Sequence, residues 1–351
     1  MKVGILTFHD VINAGAFMQA YASVRVLRQL GHSPEIIDYT SPPHRYSPGR
    51  HLWQMGWRAA IRPRQWTDAI VTHRCFAHSR KNEFPLSRHF PTRSTISQER
   101  YDAVIVGSDI VWDFKLPFLG RDPVYFGEGV NAGRLVTFAA SCGTVRPDDV
   151  IPNYVREGIG RFTSVSTRDH NTQDMVVRAG YSPPLLVGDP TFLFADSPKM
   201  RTQESNEILC YVIPGLCTKA FRDSVIALSR RTGLPIRAIV YRVPWAHQNH
   251  LSCTPFEWWQ SIANAKYFVT NTFHGTIFGA IQRARFAVEM NDNIQLKIQR
   301  MVTEGGLGGR VFTAGNDLEG VLSAKTDWDA TTGWMVEQAV IGRHFLEAAL
   351  A

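Results

Sequence analysis

Residues 2–39 read KVGILTFHDVINAGAFMQAYASVRVLRQLGHSPEIIDY. Lys2 to Phe8 is a short apolar run, His9 to Gly15 a polar turn, and Ala16 to Leu30 places apolar residues at helical spacing. Gly31-His32 supplies the helix stop, and Pro34 to Tyr39 is a second apolar run. Strand, helix and strand in this order predict a βαβ unit, whose right-handed crossover makes the two strands parallel.

The same rhythm continues outward. Tyr101 to Val106 reads as a buried strand breaking into Gly107-Ser108-Asp109, and Arg134 to Ala140 repeats the pattern before Ser141-Cys142-Gly143. Ser164 to Ser166 leads to Arg168-Asp169 and a helix ending at Ala179-Gly180, and Leu185 to Val187 closes on Gly188-Asp189-Pro190. Residues 196–207 are polar, as a linker is, and Ile208 to Ile213 restarts the strand pattern. Helices over 219–232 and 255–265 then alternate with strands over 236–241 and 267–270, followed by a helix after Gly275. The expected fold is α/β, with two Rossmann-like, doubly wound domains facing across a cleft as in the GT-B architecture. Domain one covers 1–195 with a basic, aromatic insertion at 42–95; domain two covers 205–331; a C-terminal helix covers 332–351.

Composition sets limits on function. With 351 residues and 44% apolar content, the chain has material for two cores. Its cysteines, at 75, 142, 210, 217 and 253, are odd in number and form no CxxC pair, which predicts neither disulfides nor a zinc site. No secretory leader pattern and no apolar run long enough to span a bilayer are visible, so a cytoplasmic protein is expected. A net charge of +7 favours anionic partners. Much of the excess lies between His44 and Arg93, where arginines alternate with Trp53, Trp57 and Trp66. That stretch suits a solvated basic surface over packed tryptophans, or peripheral contact with an acidic membrane face that carries a lipid-linked acceptor. No nucleic-acid signature accompanies the charge.

In open parallel sheets ligands sit beyond the carboxyl ends of the strands, which directs attention to four loops. The first holds His9, Asp10, Asn13 and Gly15 before a helix start that either binds an anion or is simply capped. The second holds Ser108 and Asp109, where the aspartate is a proton acceptor for a sugar hydroxyl or an ordinary turn residue. The third puts Arg168 at a strand end, where its fork fits a carboxylate or phosphate unless it pairs with Asp169. The fourth, Asn271-Thr272-Phe273-His274-Gly275, sets a histidine at a helix N-terminus, where a bound phosphate would keep the imidazole protonated.

In this order, KVGILTFHDVINAGAFMQAYASVRVLRQLGH with IIDY, YDAVIVGSDIVW, TFAASCG, SVSTRDHNTQDMVVRAG, GDPTFL and AKYFVTNTFHGTIFGAIQRARF resemble the polysaccharide pyruvyl transferase family over nearly the whole chain. The resemblance implies phosphoenolpyruvate as co-substrate, no cofactor or metal, and a sugar acceptor, lipid-linked or nucleotide-linked. It assigns Arg168 and His274 to the donor, makes His274 the catalytic acid, and calls for a basic residue after the histidine-bearing helix, for which Lys297 is the nearest candidate with Arg300 one turn beyond; Gly275, beside His274, is expected to meet the donor as well. His9, Asp10, Asn13, Ser108 and Asp109 are expected on the acceptor side, with Asp109 or Asp10 taking protons. Ile110 and Ala14 depart from the family's usual glutamine and aromatic, which points to an unusual acceptor. Two other readings compete: a nucleotide-sugar glycosyltransferase in the same cleft, and a non-catalytic glycan-assembly protein.

Overall fold

The computed structural model describes residues 1–39, 63–116, 121–291 and 294–351. Strand β1 (Lys2–Leu6), helix α1 (Ala14–Gln29) and strand β2 (Ser33–Tyr39) form the expected unit, with β1 and β2 parallel. Helix α2 (Pro63–Glu83) leads to strand β3 (Leu86–Phe90), and β4 (Tyr101–Val106) and β5 (Ala132–Thr137) follow. These five strands are parallel in the order β3-β2-β1-β4-β5. The insertion thus contributes an edge strand that its sequence did not announce, because LSRHF alternates too little to read as one. Trp53 and Trp57 lie outside the described residues, as does the side chain of Trp66.

Beyond β5, strands β6 (Ser166–Thr167) and β7 (Leu185–Leu186) pair with one another on either side of helix α3 (His170–Arg178). Polar residues 196–204 carry no helix or strand. The second sheet follows, built from β8 (Ser205–Tyr211), β9 (Ile236–Ile239), β10 (Gln248–His250), β11 (Ala265–Thr270), β12 (Phe286–Glu289) and β13 (Val311–Phe312). It is parallel throughout, in the order β10-β9-β8-β11-β12-β13. Its helices are α4 (Lys219–Thr232), α5 (Pro255–Asn264), α6 (Phe273–Ile281) and α7 (Gln295–Thr303), and α8 (Trp328–Leu350) ends the chain.

In each sheet the strand order reverses beside the first strand laid down, between β1 and β4 and between β8 and β11. Those switch points leave a crevice at the strand ends. The loops after β1, β4 and β11 open there.

One hydrophobic core runs from Val3 and Ile105 through Phe17 and Met18 of α1 to Leu209, Phe268 and Phe278 of the second half. Phe17 and Tyr21 of α1 meet Phe256 of α5 edge-on, with centroids 5.9 and 5.2 Å apart. Each large apolar side chain buried this way contributes about 1.5–3 kcal/mol. Helix α8 returns to the first half, where Gly342 lies against Phe138 and Arg134 donates to the carbonyls of Leu350 and Ala351 at 2.6 and 2.9 Å. Among the described residues, no helix is long and apolar enough to cross a membrane.

Candidate active site

His274 enters the site in the first turn of α6. The helix begins at Phe273, three residues earlier than its sequence suggests, because the hydroxyl of Thr272 caps it by accepting from Gly275 N at 3.1 Å. That capping bond corrects the expected role of Gly275, whose N–H is already spent. The free N–H groups are those of Phe273 and His274, ahead of it in the same turn. A side chain on Gly275 would meet the Thr270 hydroxyl at 2.2 Å, so glycine is required by close packing.

Arg168, expected at a strand end, follows β6 and is buried. Its Nη1 donates to Asp189 Oδ2 at 2.7 Å, its Nη2 lies 3.7 Å from Asp109 Oδ1, and its guanidinium stacks 4.4 Å from the Phe273 ring centroid. The alternative pairing with Asp169 does not form, since Asp169 instead caps α3 by accepting from Thr172 N.

The centre of the cluster is a residue to which its place in the sequence assigns no role. Asp189 is 3% exposed; its Oδ1 accepts from the Thr191 amide and hydroxyl, and its Oδ2 faces Arg168 and, at 3.6 Å, His274 Nε2. That last separation suits an ion pair with the protonated ring and exceeds a hydrogen bond. Burial by itself raises the Asp189 carboxyl, but His274, the Arg168 charge and the Thr191 hydroxyl outweigh it and hold the group well below the usual carboxylate range. The signal that could have found it is its place in Gly188-Asp189-Pro190, one residue beyond the end of an apolar run.

Lys297 lies on α7, partly buried, and its ammonium makes no hydrogen bond or ion pair among the described residues. Burial lowers its pKa, and Arg168 lowers it further, against the opposing pull of Asp109, Asp113 and Asp169. Arg300, one turn on, is fully engaged. It donates to the carbonyls of Arg168 and Val187 at 3.4 and 3.1 Å, to Gln338 at 2.8 Å and to Glu304 at 3.0 Å. Of the two cations, Lys297 is the one with a charge to offer a ligand.

Asp109 follows the Gly107 turn with φ of +70°, a left-handed conformation uncommon outside glycine. Its Oδ1 accepts from Ile110 N at 2.8 Å and faces Arg168. Burial raises the Tyr241 hydroxyl to about 12, with the nearby Asp109 charge adding to it and a bond with Tyr211 opposing it.

The remaining residues expected on the acceptor side are bound up in the fold. Ser108 is 0% exposed and donates to Gln19 at 2.9 Å, which corrects its assignment. His9 bonds to Asp38 at 2.9 Å and Asp10 pairs with Arg80, so neither is free to act on a hydroxyl. Asn13 caps α1 by accepting from Ala16 N at 3.1 Å. Ala14 is buried, while Ile110 keeps partial exposure next to Asp109. Gly15 lies hard against the first turn of α6, and a Cβ there would fall 2.2 Å from Cγ of His274.

Four buried atoms of this cluster lack a hydrogen-bond partner: Thr167 Oγ1, Arg168 Nε, Asp169 Oδ2 and His274 Nε2. Buried polar atoms are normally satisfied, so their concentration around one arginine and one histidine marks a place where a polar ligand completes the bonding. Among the described residues, no group of three or more His, Cys, Asp or Glu gathers in a way that could hold a metal.

The fold is shared with proteins of known structure. UDP-GlcNAc 2-epimerase from Methanocaldococcus jannaschii, in complex with UDP-GlcNAc and UDP, superposes with a TM-score of 0.51 at 12% identity, covering 99% of this chain and 100% of that one. A second structure of the M. jannaschii epimerase gives 0.50 at 11% identity with the same coverage, and another UDP-N-acetylglucosamine 2-epimerase gives 0.51 at 11%, covering 99% and 95%. At such identity the likeness concerns the fold alone, which is GT-B-like. No curated protein sequence matches the chain. The sequence pattern described as polysaccharide pyruvyl transferase matches residues 13–293, a span that takes in α1, Asp109, Arg168, Asp189 and His274, and the chain belongs to that family.

Proposed function

We propose that this protein transfers the enolpyruvyl unit of phosphoenolpyruvate to a hydroxyl pair on a glycan or glycan precursor, forming a pyruvate ketal and releasing phosphate. The observation that carries the reading is the unsatisfied cationic set of Arg168 Nε, His274 Nε2 and the unpaired Lys297, lying beside the Asp109 carboxylate. The reading also rests on membership of the family.

Phosphoenolpyruvate carries a carboxylate and a phosphate on one small skeleton. Arg168, Lys297 and the N–H groups of Phe273 and His274 hold those anionic groups. His274 gives a proton to the methylene carbon, which becomes methyl, and the neighbouring carbon becomes an oxocarbenium-like centre. A sugar hydroxyl attacks that centre and passes its proton to Asp109. Phosphate then leaves carrying the proton held by Asp109, a second hydroxyl attacks the same carbon and passes its proton back to His274, and the ketal closes. Asp189 takes no proton in this scheme; it orients the guanidinium of Arg168 and the ring of His274 and balances their charge. No step uses a metal or cofactor.

Calorimetric titration of phosphoenolpyruvate into the protein without added metal, repeated on Arg168→Ala, tests the donor. Saturable binding weakened by the substitution supports the reading. Absence of binding to the wild type, with thermal stabilisation by a nucleotide sugar, replaces it with glycosyl transfer.

A further inference from the structure

Behind Asp109 lies a closed ring of three buried side chains. Gln19 Nε2 donates to Thr7 Oγ1 at 2.9 Å, Thr7 Oγ1 donates to the Ser108 carbonyl at 3.3 Å, and Ser108 Oγ donates to Gln19 Oε1 at 2.9 Å. Gln19 and Ser108 are 0% exposed and Thr7 1%, so none of them touches a substrate. Their bonds hold the residue immediately before Asp109 at two atoms, the Ser108 carbonyl and its side-chain hydroxyl. The carbonyl of Asp109 is itself held by Ser141 N at 3.0 Å.

Gln19 is out of place by composition. Its neighbours on α1 are Phe17, Met18 and Ala20, all buried and apolar. A buried amide is costly unless its bonds are made, and an apolar side chain of the same size would pack there without that condition. What the amide adds is direction, since it ties the helix to one turn at one distance.

The other contact of α1 gives the direction its meaning. Gly15 precedes Gln19 by four residues and lies on the same face, one turn away. Gly15 abuts the His274 ring, while Gln19 grips the turn that carries Asp109. One helix face therefore touches the group proposed as acid, from the second half, and the turn bearing the group proposed as base, from the first.

We infer that α1 sets the separation between acid and base, and that Gln19 is the positioning residue that holds Asp109 at its end of that spacing. The inference rests on the assignment of Asp109 as proton acceptor under the proposed function.

The test compares Gln19→Met, Ser108→Ala and Thr7→Val, each of which opens the ring. Turnover per folded enzyme is expected to fall about tenfold to a hundredfold, the scale of a displaced reacting group, while the Kd for phosphoenolpyruvate stays within about twofold. Donor affinity is spared because Arg168, Lys297 and α6 lie outside the ring. Gln19→Glu, which keeps the acceptor for the Ser108 hydroxyl but loses the donor to Thr7, should retain more turnover than Gln19→Met. Ser108→Ala removes a single oxygen and keeps the test decisive if Gln19→Met does not fold. A lowered Tm with unchanged turnover in the folded protein overturns the proposal, as does donor affinity that falls in step with turnover. Asp109→Asn is run alongside: if it retains full turnover with intact donor binding, the assignment of Asp109 fails, and the positioning role falls with it for that separate reason.

Discussion

Arg168 Nη1 donates to Asp189 Oδ2 across 2.7 Å, inside a pocket that leaves the aspartate 3% exposed. Neither partner is easily spared. Removing one member of a buried pair costs about 3–5 kcal/mol, because the other charge stays behind without compensation. Asp189→Ala should therefore lower stability by that order and turnover with it. Denaturant melts and initial rates on one preparation check both.

The same carboxylate makes stability sensitive to acid. Its folded pKa is depressed, so its contribution is complete above the ordinary carboxylate value and is lost as pH falls below about 4 through the folded value. Asp189→Asn should be less stable than wild type at neutral pH, and the gap should narrow as the pH drops through that window. A gap that is constant with pH would contradict the depressed value.

Donor binding and chemistry should separate by residue. His274→Ala is expected to cut kcat by about 10²–10⁴, the range for a general acid, with a small change in donor affinity. Arg168→Ala should chiefly weaken the donor. Isothermal titration and steady-state kinetics on both variants decide it, and the assignments fail if the two signatures are exchanged.

Lys297 offers a contrast between function and stability. Its folded pKa is lowered, so the folded state bears a cost below that value which is relieved as pH rises toward the ordinary lysine value. Lys297→Met should raise Tm by a few degrees at neutral pH, lose that advantage near pH 10, and bind phosphoenolpyruvate poorly. Arg300→Met should do the opposite, lowering Tm through the carbonyls and Gln338 that it leaves unbonded while weakening the donor less.

Gly15→Ala tests the contact across the cleft. A methyl group 2.2 Å from the His274 ring must push it aside. The expected cost is about 1–3 kcal/mol of stability from overpacking, and close to a hundredfold in kcat from a misplaced acid.

Much of this was legible in the residue order. Apolar runs ending in small polar turns gave the parallel strands, and strand-end logic led to Asp109, Arg168 and His274. Strands β10, β12 and β13 escaped because they span two to four residues each. The site was harder to read where a residue acts through a distant partner. Asp189 shows its role only beside Arg168 and His274, and Gln19 reads as an off-pattern polar residue until Ser108, far along the chain, is folded onto it. Conversely, His9, Asp10, Asn13 and Gly275 have site-like chemistry, but Asn13 and Gly275 are spent on helix caps and His9 and Asp10 on pairs with the distant Asp38 and Arg80, which spacing alone does not distinguish from ligand contacts.

The core that runs without a break through Phe17 and Tyr21 of α1 into Phe256 and Phe278 bears on how such a protein can change over generations. Recombination that exchanged one sheet for a homologue's would cut through packed aromatic rings and separate Gly15 from the ring it was shaped against. New acceptor specificity in this scaffold must then come from substitutions within the strand-end loops, at positions such as partly exposed Ile110, and not from the shuffling of halves.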